Sequence, residues 1–242
     1  MVFESTVTPS GQQKARISAD LAGSTPIFAR EVGGTLVTSA EMGDFRQRKL
    51  VFNHFDQPGR VHIYRADCRA GERLRVQILT PVLPRGSSVA PAVAVIAQSL
   101  PYDAEDVKLP FALPAGYSAV VASPPKSLLA PVDDMLTRVS YYPGPVIDTR
   151  TLVGGRCYIA VWSPQQKMGK YALLVGHSWP LSWRYWLGVP RYWWQIRGWF
   201  GHSRWAAYAA VAGVLLLSLF TRVLLRMGRR SNHGTDVETG AE

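Results

Sequence analysis

Residues 60–81, RVHIYRADCRAGERLRVQILTP, decide the fold class. Arg73, Leu74, Arg75, Val76, Gln77 and Ile78 alternate polar and apolar, the period of a strand with one face on a core. Val61 to Ala66 is a second strand-like run. Cys68, Arg69, Ala70, Gly71 and Glu72 lie between them as a glycine-bearing turn, so the segment predicts two strands joined as a hairpin.

Further along, Ala92 to Ala97 is an apolar run of strand length bounded by Pro91 and Ser99. Tyr117 to Ala122 is another, introduced by Pro114, Ala115 and Gly116. Cys157 to Trp162 and Tyr171 to Val175, separated by the polar loop Ser163 to Lys170, predict a second hairpin. No amphipathic helix interrupts the region. Strands recurring between proline and glycine punctuation indicate a mainly β fold, an antiparallel β-sandwich or jelly roll over residues 51–176. Residues 1–50 read as an extended N-terminal segment with at most two strands, Gly34 to Thr38 being one alternating fragment.

The chain then changes character. SWPLSWRYWLGVPRYWWQIRGWFGHSRW, residues 178–205, holds seven of the eight tryptophans. Indole and guanidinium together suit the headgroup level of a bilayer, so residues 177–204 are expected to form short interfacial helices. Trp183, Trp186 and Leu187 share one helical face. Pro190 is expected to interrupt the helix, with Tyr192 to Phe200 resuming it. The membrane-interface residues on this reading are Trp183, Arg184, Trp186, Arg191, Trp193, Trp194, Arg197, Trp199 and Arg204, joined by Trp205, Arg222 and Arg226 at the ends of the next segment.

That segment, WAAYAAVAGVLLLSLFT from Trp205 to Thr221, carries no charge. Residues 205–226 predict one transmembrane helix about 30 Å long, with Arg222 snorkelling to the interface, followed by a polar tail over 227–242. The formal charge of +10 gathers at this end, where lipid headgroups are its partner, and no nucleic-acid fingerprint accompanies it. Arg222, Arg226, Arg229 and Arg230 outweigh Arg191, Arg197 and Arg204 slightly. The positive-inside bias therefore puts the tail in the cytoplasm and the β-domain outside it. Met1 to Ala22 lacks an apolar signal core, so export calls for a leader upstream, and a tail-anchored cytosolic domain is the contrary arrangement.

Cys68 and Cys157 are the only cysteines. Their spacing fits neither zinc nor redox motifs, and is compatible with one bond between them or with two separate thiols packed as small apolar side chains. His54, His62, His177, His202 and His233 form no HExxH; His54 and His62 across a bend, with Met42, are the nearest approach to a copper set. Asp103, Glu105 and Asp106, and the pair Asp133 and Asp134, read as solvated loop charges. No GxSxG elbow occurs. No catalytic, cofactor or metal residue is assigned, and the chain is not expected to be an enzyme.

The segments RVHIYRADCRAGERLRVQILTP, PAVAVIAQSLP, LPFALPAGYSAVVAS, SYYPGP and GGRCYIAVWSPQQKMGKYALLVG, in that order, resemble an uncharacterised family of bacterial single-pass membrane proteins. That family carries a domain like the bacterial pre-peptidase C-terminal type, and the resemblance spans residues 50–203. It implies a jelly-roll-like sandwich exported across the inner membrane. It brings no activity and no catalytic residues. The function expected is a non-enzymatic interaction or accessory subunit of a membrane complex, with a membrane-protein partner. The alternatives are an envelope carbohydrate- or ligand-binding module, and an enzyme whose site is invisible in sequence.

Overall fold

The computed structural model describes residues 17, 21, 23–29, 32–84, 89–100, 109–127, 129–178, 183–202 and 205–231. Eleven strands are formed among them: β1 (Thr25–Phe28), β2 (Ala40–Glu41), β3 (Lys49–Phe55), β4 (Val61–Cys68), β5 (Arg73–Pro81), β6 (Ala92–Gln98), β7 (Tyr117–Ala122), β8 (Val132–Asp133), β9 (Ser140–Arg150), β10 (Gly155–Trp162) and β11 (Gly169–Val175). Helices α1 (Trp183–Phe200) and α2 (Trp205–Ser231) follow. The strands make a β-sandwich of two sheets, ordered β1-β3-β11-β5-β9-β8 and β2-β4-β10-β6-β7.

Neither expected hairpin exists. β4 and β5 lie in opposite sheets, as do β10 and β11. The glycine-bearing turn crosses the sandwich, because its backbone bonds go to the other crossover at the same end. Gly71 N donates to Thr151 O at 2.7 Å, Thr151 N donates to Glu72 O at 3.0 Å, and the Thr151 hydroxyl donates to Arg69 O at 2.7 Å. The β4–β5 and β9–β10 connections thus clasp each other, satisfying in the loops the groups a hairpin would have paired within its own ladder. β4 pairs instead with β10, and β5 with β9 and β11.

Three apolar layers result. Between the sheets pack Val51, Phe55, Leu74, Val76, Ile78, Val93, Val95, Ile159, Val161 and Leu173. The outer face of the six-stranded sheet (Leu50, Phe52, Leu79, Tyr141, Leu174) is covered by Ile17, Leu21, Ile196 and Phe200. The outer face of the five-stranded sheet (Ile63, Ala94, Ile96, Tyr158, Trp162) is covered by loop residues Leu36, Leu109, Phe111 and Leu113. Cover on both faces explains why β6, AVAVIAQ, is apolar at six consecutive positions instead of alternating.

Within the segment expected to be extended, the described residues 25–28 and 40–41 join the sheets as strands. β1 runs parallel to β3 and β2 parallel to β4, so the two sheet edges are parallel where an antiparallel fold was expected. Val32, Met42 and Phe45 enter the central core. Gly34 to Thr38 forms no strand, since the Thr35 and Thr38 hydroxyls bond each other at 2.8 Å and take one another's backbone N–H groups in a local turn.

Pro190 does not interrupt α1, which is continuous for 18 residues. Pro190 is exposed, so the carbonyl one turn back, which loses its N–H partner, is on the wet side of the helix. Gly188 carries the close contact instead: a Cβ there would meet the Tyr192 ring at 2.8 Å. The helix stops at Gly201, left-handed at φ 76°, whose N–H returns to Gly198 O at 3.1 Å.

The chain divides into two units, Met1–Gly201 and His202–Glu242. Within the second, α2 runs for 27 residues, but its uncharged stretch ends at Arg222, 17 residues in. Among the described residues no helix is long and apolar enough to cross a membrane.

Candidate functional site

Helix α1 presents two unlike faces. On the inner one Tyr185, Ile196 and Phe200 are buried, Phe200 edge-on to Tyr141 at 5.2 Å and Trp199 against Phe52 at 4.9 Å. Lys170 Nζ donates to Trp199 O and lies 4.9 Å over its ring, and burial holds that amine below its ordinary pKa. Arg197 donates to Thr137 O at 3.3 Å and lies 5.0 Å over the Trp193 ring. Trp199 and Arg197 were expected at the lipid interface; they are used instead to fasten the helix to the sandwich. Trp193 and Trp194 are half-buried.

On the outer face Trp183 (67% exposed), Trp186 (60%), Leu187 (70%) and Pro190 follow the i, i+3, i+4, i+7 spacing of a single stripe, with Arg191 exposed beside it. Trp205 and Arg222 on α2 are exposed as well. Arg204 and the side chains of Arg184 and Arg226 lie outside the described residues, as do Asp103, Glu105 and Asp106.

A second feature escaped the sequence reading altogether. β9 pairs with β8 only at Ser140 and Tyr141, and β7 ends the other sheet, so among the described residues both strands keep an unpaired edge. Between them runs a groove of about 810 Å³ lined by Val120, Val121, Val146, Ile147, Leu152 and Arg73. Pro143 and Pro145 obscured β9 in the sequence, yet proline within an alternating run is itself the mark of an edge or bulge. β9 has both, with the register shift lying between Gln77 and Leu79 on its partner.

The histidine reading resolves differently. His62 is 3% exposed, and its Nδ1 bonds the Tyr171 hydroxyl at 2.7 Å; Tyr171 bonds Tyr64 at 3.0 Å, and Asn53 Nδ2 donates to Tyr64 at 2.9 Å. Phe55 stacks on His62 and Tyr171 at 5.0 and 4.7 Å. Burial, then the nearby Arg60 charge, depress His62 to about 4, and burial raises Tyr64 to about 12. The chain of groups therefore holds neutral partners at pH 7 and ties β3 and β11 to β4 across the sandwich. It has no group titrating near neutrality to serve as an acid or base. Met42 belongs to the central core, and among the described residues no three His, Cys, Asp or Glu are grouped to hold a metal ion.

Asp134 is buried and accepts from the Thr137 hydroxyl and, at 3.1 Å, from the Leu136 N–H; burial raises its pKa despite these bonds. Asp133 accepts from Ser140 Oγ at 2.6 Å. Both carboxylates cap the β8–β9 turn.

Cys68 and Cys157 are free, buried and adjacent. Cys68 also lines a polar pocket of about 530 Å³ with Arg46, Arg65, Arg69, Arg156 and Asp67.

Compared with known proteins, the chain matches no family model and no curated sequence. The likeness to the pre-peptidase C-terminal type accordingly rests on the quoted segments alone.

Proposed function

We propose that this protein is a membrane-anchored, non-enzymatic interaction or accessory subunit. Its sandwich is held at a bilayer surface by α1 and tethered by α2. The observation that carries the reading is the outer stripe of α1. Two tryptophans, a leucine and a proline stand in solvent on a helix whose opposite face is locked into the core, an arrangement that suits the headgroup region of a lipid bilayer.

Helix α2 supports the tether. Val214, Leu215, Leu216, Leu217, Leu219 and Phe220 are each 60% or more exposed. Their sequence neighbours are uncharged from Trp205 to Thr221, and the run reaches bilayer thickness if the exposed Arg222 extends its guanidinium to the interface. The β-domain lies outside the cytoplasm and the tail within it on the arginine count, and the quoted resemblance agrees with export. For the partner, the β7–β9 groove suits an extended segment of a neighbouring membrane protein. Val146 and Ile147 lie along the groove at the β9 edge, and the apolar lining offers pockets for alternate side chains.

Alkaline carbonate extraction of membranes tests the tether: the full chain is expected in the pellet, and release into the supernatant overturns the reading. Purification in mild detergent tests the partner. A stoichiometric companion that Val146→Lys releases is expected; a clean monomer under gentle conditions defeats it.

A further inference from the structure

The two cysteines stand apart in sequence and together in the fold. In the β4–β10 ladder Cys68 is opposite Gly155 and Cys157 is opposite Ala66, so the cysteines are diagonal neighbours on one face. That face is the inter-sheet core, where both side chains are packed, 5% and 1% exposed, with the Cys157 thiol donating to Gly155 O at 4.0 Å. Cys68 alone of the pair lines the arginine-bearing pocket, so reagents reach it first.

We propose that Cys68 and Cys157 are the site of an intrachain disulfide, formed by exchange with a disulfide donor that enters through the pocket of Arg46, Arg65, Arg69 and Arg156. The Cys68 thiolate attacks one sulfur of the donor RSSR, whose S–S bond breaks and whose leaving thiolate is protonated to RSH. Cys157, deprotonated, then attacks Cys68 Sγ and expels the second RSH. The protein gives up two electrons and two protons, the donor takes both, and the products are one bridge and two thiols. Neighbouring Cys157, with burial after it, holds Cys68 as thiol above the ordinary range, so exchange is slow at neutral pH and accelerates in alkali. The bridge encloses β5 to β9 in one covalent loop and staples a ladder that is already in register. Nothing in this step depends on membrane attachment.

The test uses the full chain in mild detergent, treated with glutathione disulfide, acid-trapped, alkylated and digested with trypsin without reduction. The expected product joins the peptide Ala66–Arg69 to Cys157–Lys167 at about 2 Da below the sum of the free peptides, with the unfolding midpoint raised about 5–10 °C. Cys157→Ser is expected to accumulate a glutathione adduct on Cys68. Cys68→Ser is expected to leave Cys157 unmodified until denaturant is added. A bridge that forms only in denaturant, intermolecular dimers in its place, or equal modification of the two single variants overturns the proposal.

Discussion

The two faces of α1 are built from the same residue types and have opposite uses. Ile196, Trp199 and Phe200 close the outer core of the six-stranded sheet, while Trp183, Trp186 and Leu187, about two to five turns earlier, stand in solvent. Tryptophan density alone therefore does not identify a lipid-facing helix. What separates the faces is a partner surface: Phe52 and Tyr141 meet Trp199 and Phe200. Trp183, Trp186 and Leu187 are each at least 60% exposed.

The sharpest way to break this comparison is Phe200→Ala. It is expected to lower stability by about 3–5 kcal/mol in urea unfolding, since a fully packed ring is lost and a cavity left beside Tyr141. A loss below 1 kcal/mol would mean that the inner face is not docked. Acid reaches a different layer, the sheet-to-sheet core. His62 titrates near its ordinary 6.5 when unfolded and at about 4 when folded, so the unfolded chain binds the extra proton. The stability contributed by neutral His62 is complete above pH 6.5 and is lost as pH falls toward 4, by roughly 2–3 kcal/mol. His62→Gln is expected to flatten that slope, whereas Trp186→Ser is expected to leave it intact. An unchanged slope in the glutamine variant would remove His62 as its source.

The smallest stability effect belongs to the outer stripe. Replacing Trp183 and Trp186 with phenylalanine is expected to shift unfolding by less than about 0.5 kcal/mol. In vesicles containing brominated lipid, the same double variant is expected to lose a measurable share of the quenching of tryptophan fluorescence, and Trp199→Phe to lose little. Equal losses would erase the distinction between the faces.

Strand positions were legible where apolar runs were bounded by proline and glycine: β4, β5, β6, β7, β10 and β11 all fall on such runs. Pairing was not. Alternation reports that a strand has a core face, and a glycine turn reports that the chain reverses; neither says whether the next strand lies beside the last or across from it. The bonds that decide this for β4 and β5 come from Thr151, far along the chain. β3 was not singled out, since Lys49–Phe55 straddles the start of the sandwich drawn at residue 51, and β9 was hidden behind Pro143 and Pro145. At the surface, the stripe of Trp183, Trp186 and Leu187 was visible as helical spacing, whereas the docking of Arg197 and Trp199 depended on Thr137 and Phe52, which no local pattern connects to α1.

The strand order also governs when the domain can fold. β10 is flanked by β4 and β6, and β11 by β3 and β5, so the last two strands made are interior members of both sheets. Among the described strands only β6 with β7 and β8 with β9 pair with a sequence neighbour, β1 with β3 and β2 with β4 skip one strand, and the other pairings wait for residues synthesised long afterwards. A nascent chain that has emerged only as far as Arg150 holds β3 and β4 without the strands that join them to the rest of their sheets. Closure of both sheets therefore requires the chain to be complete through Val175.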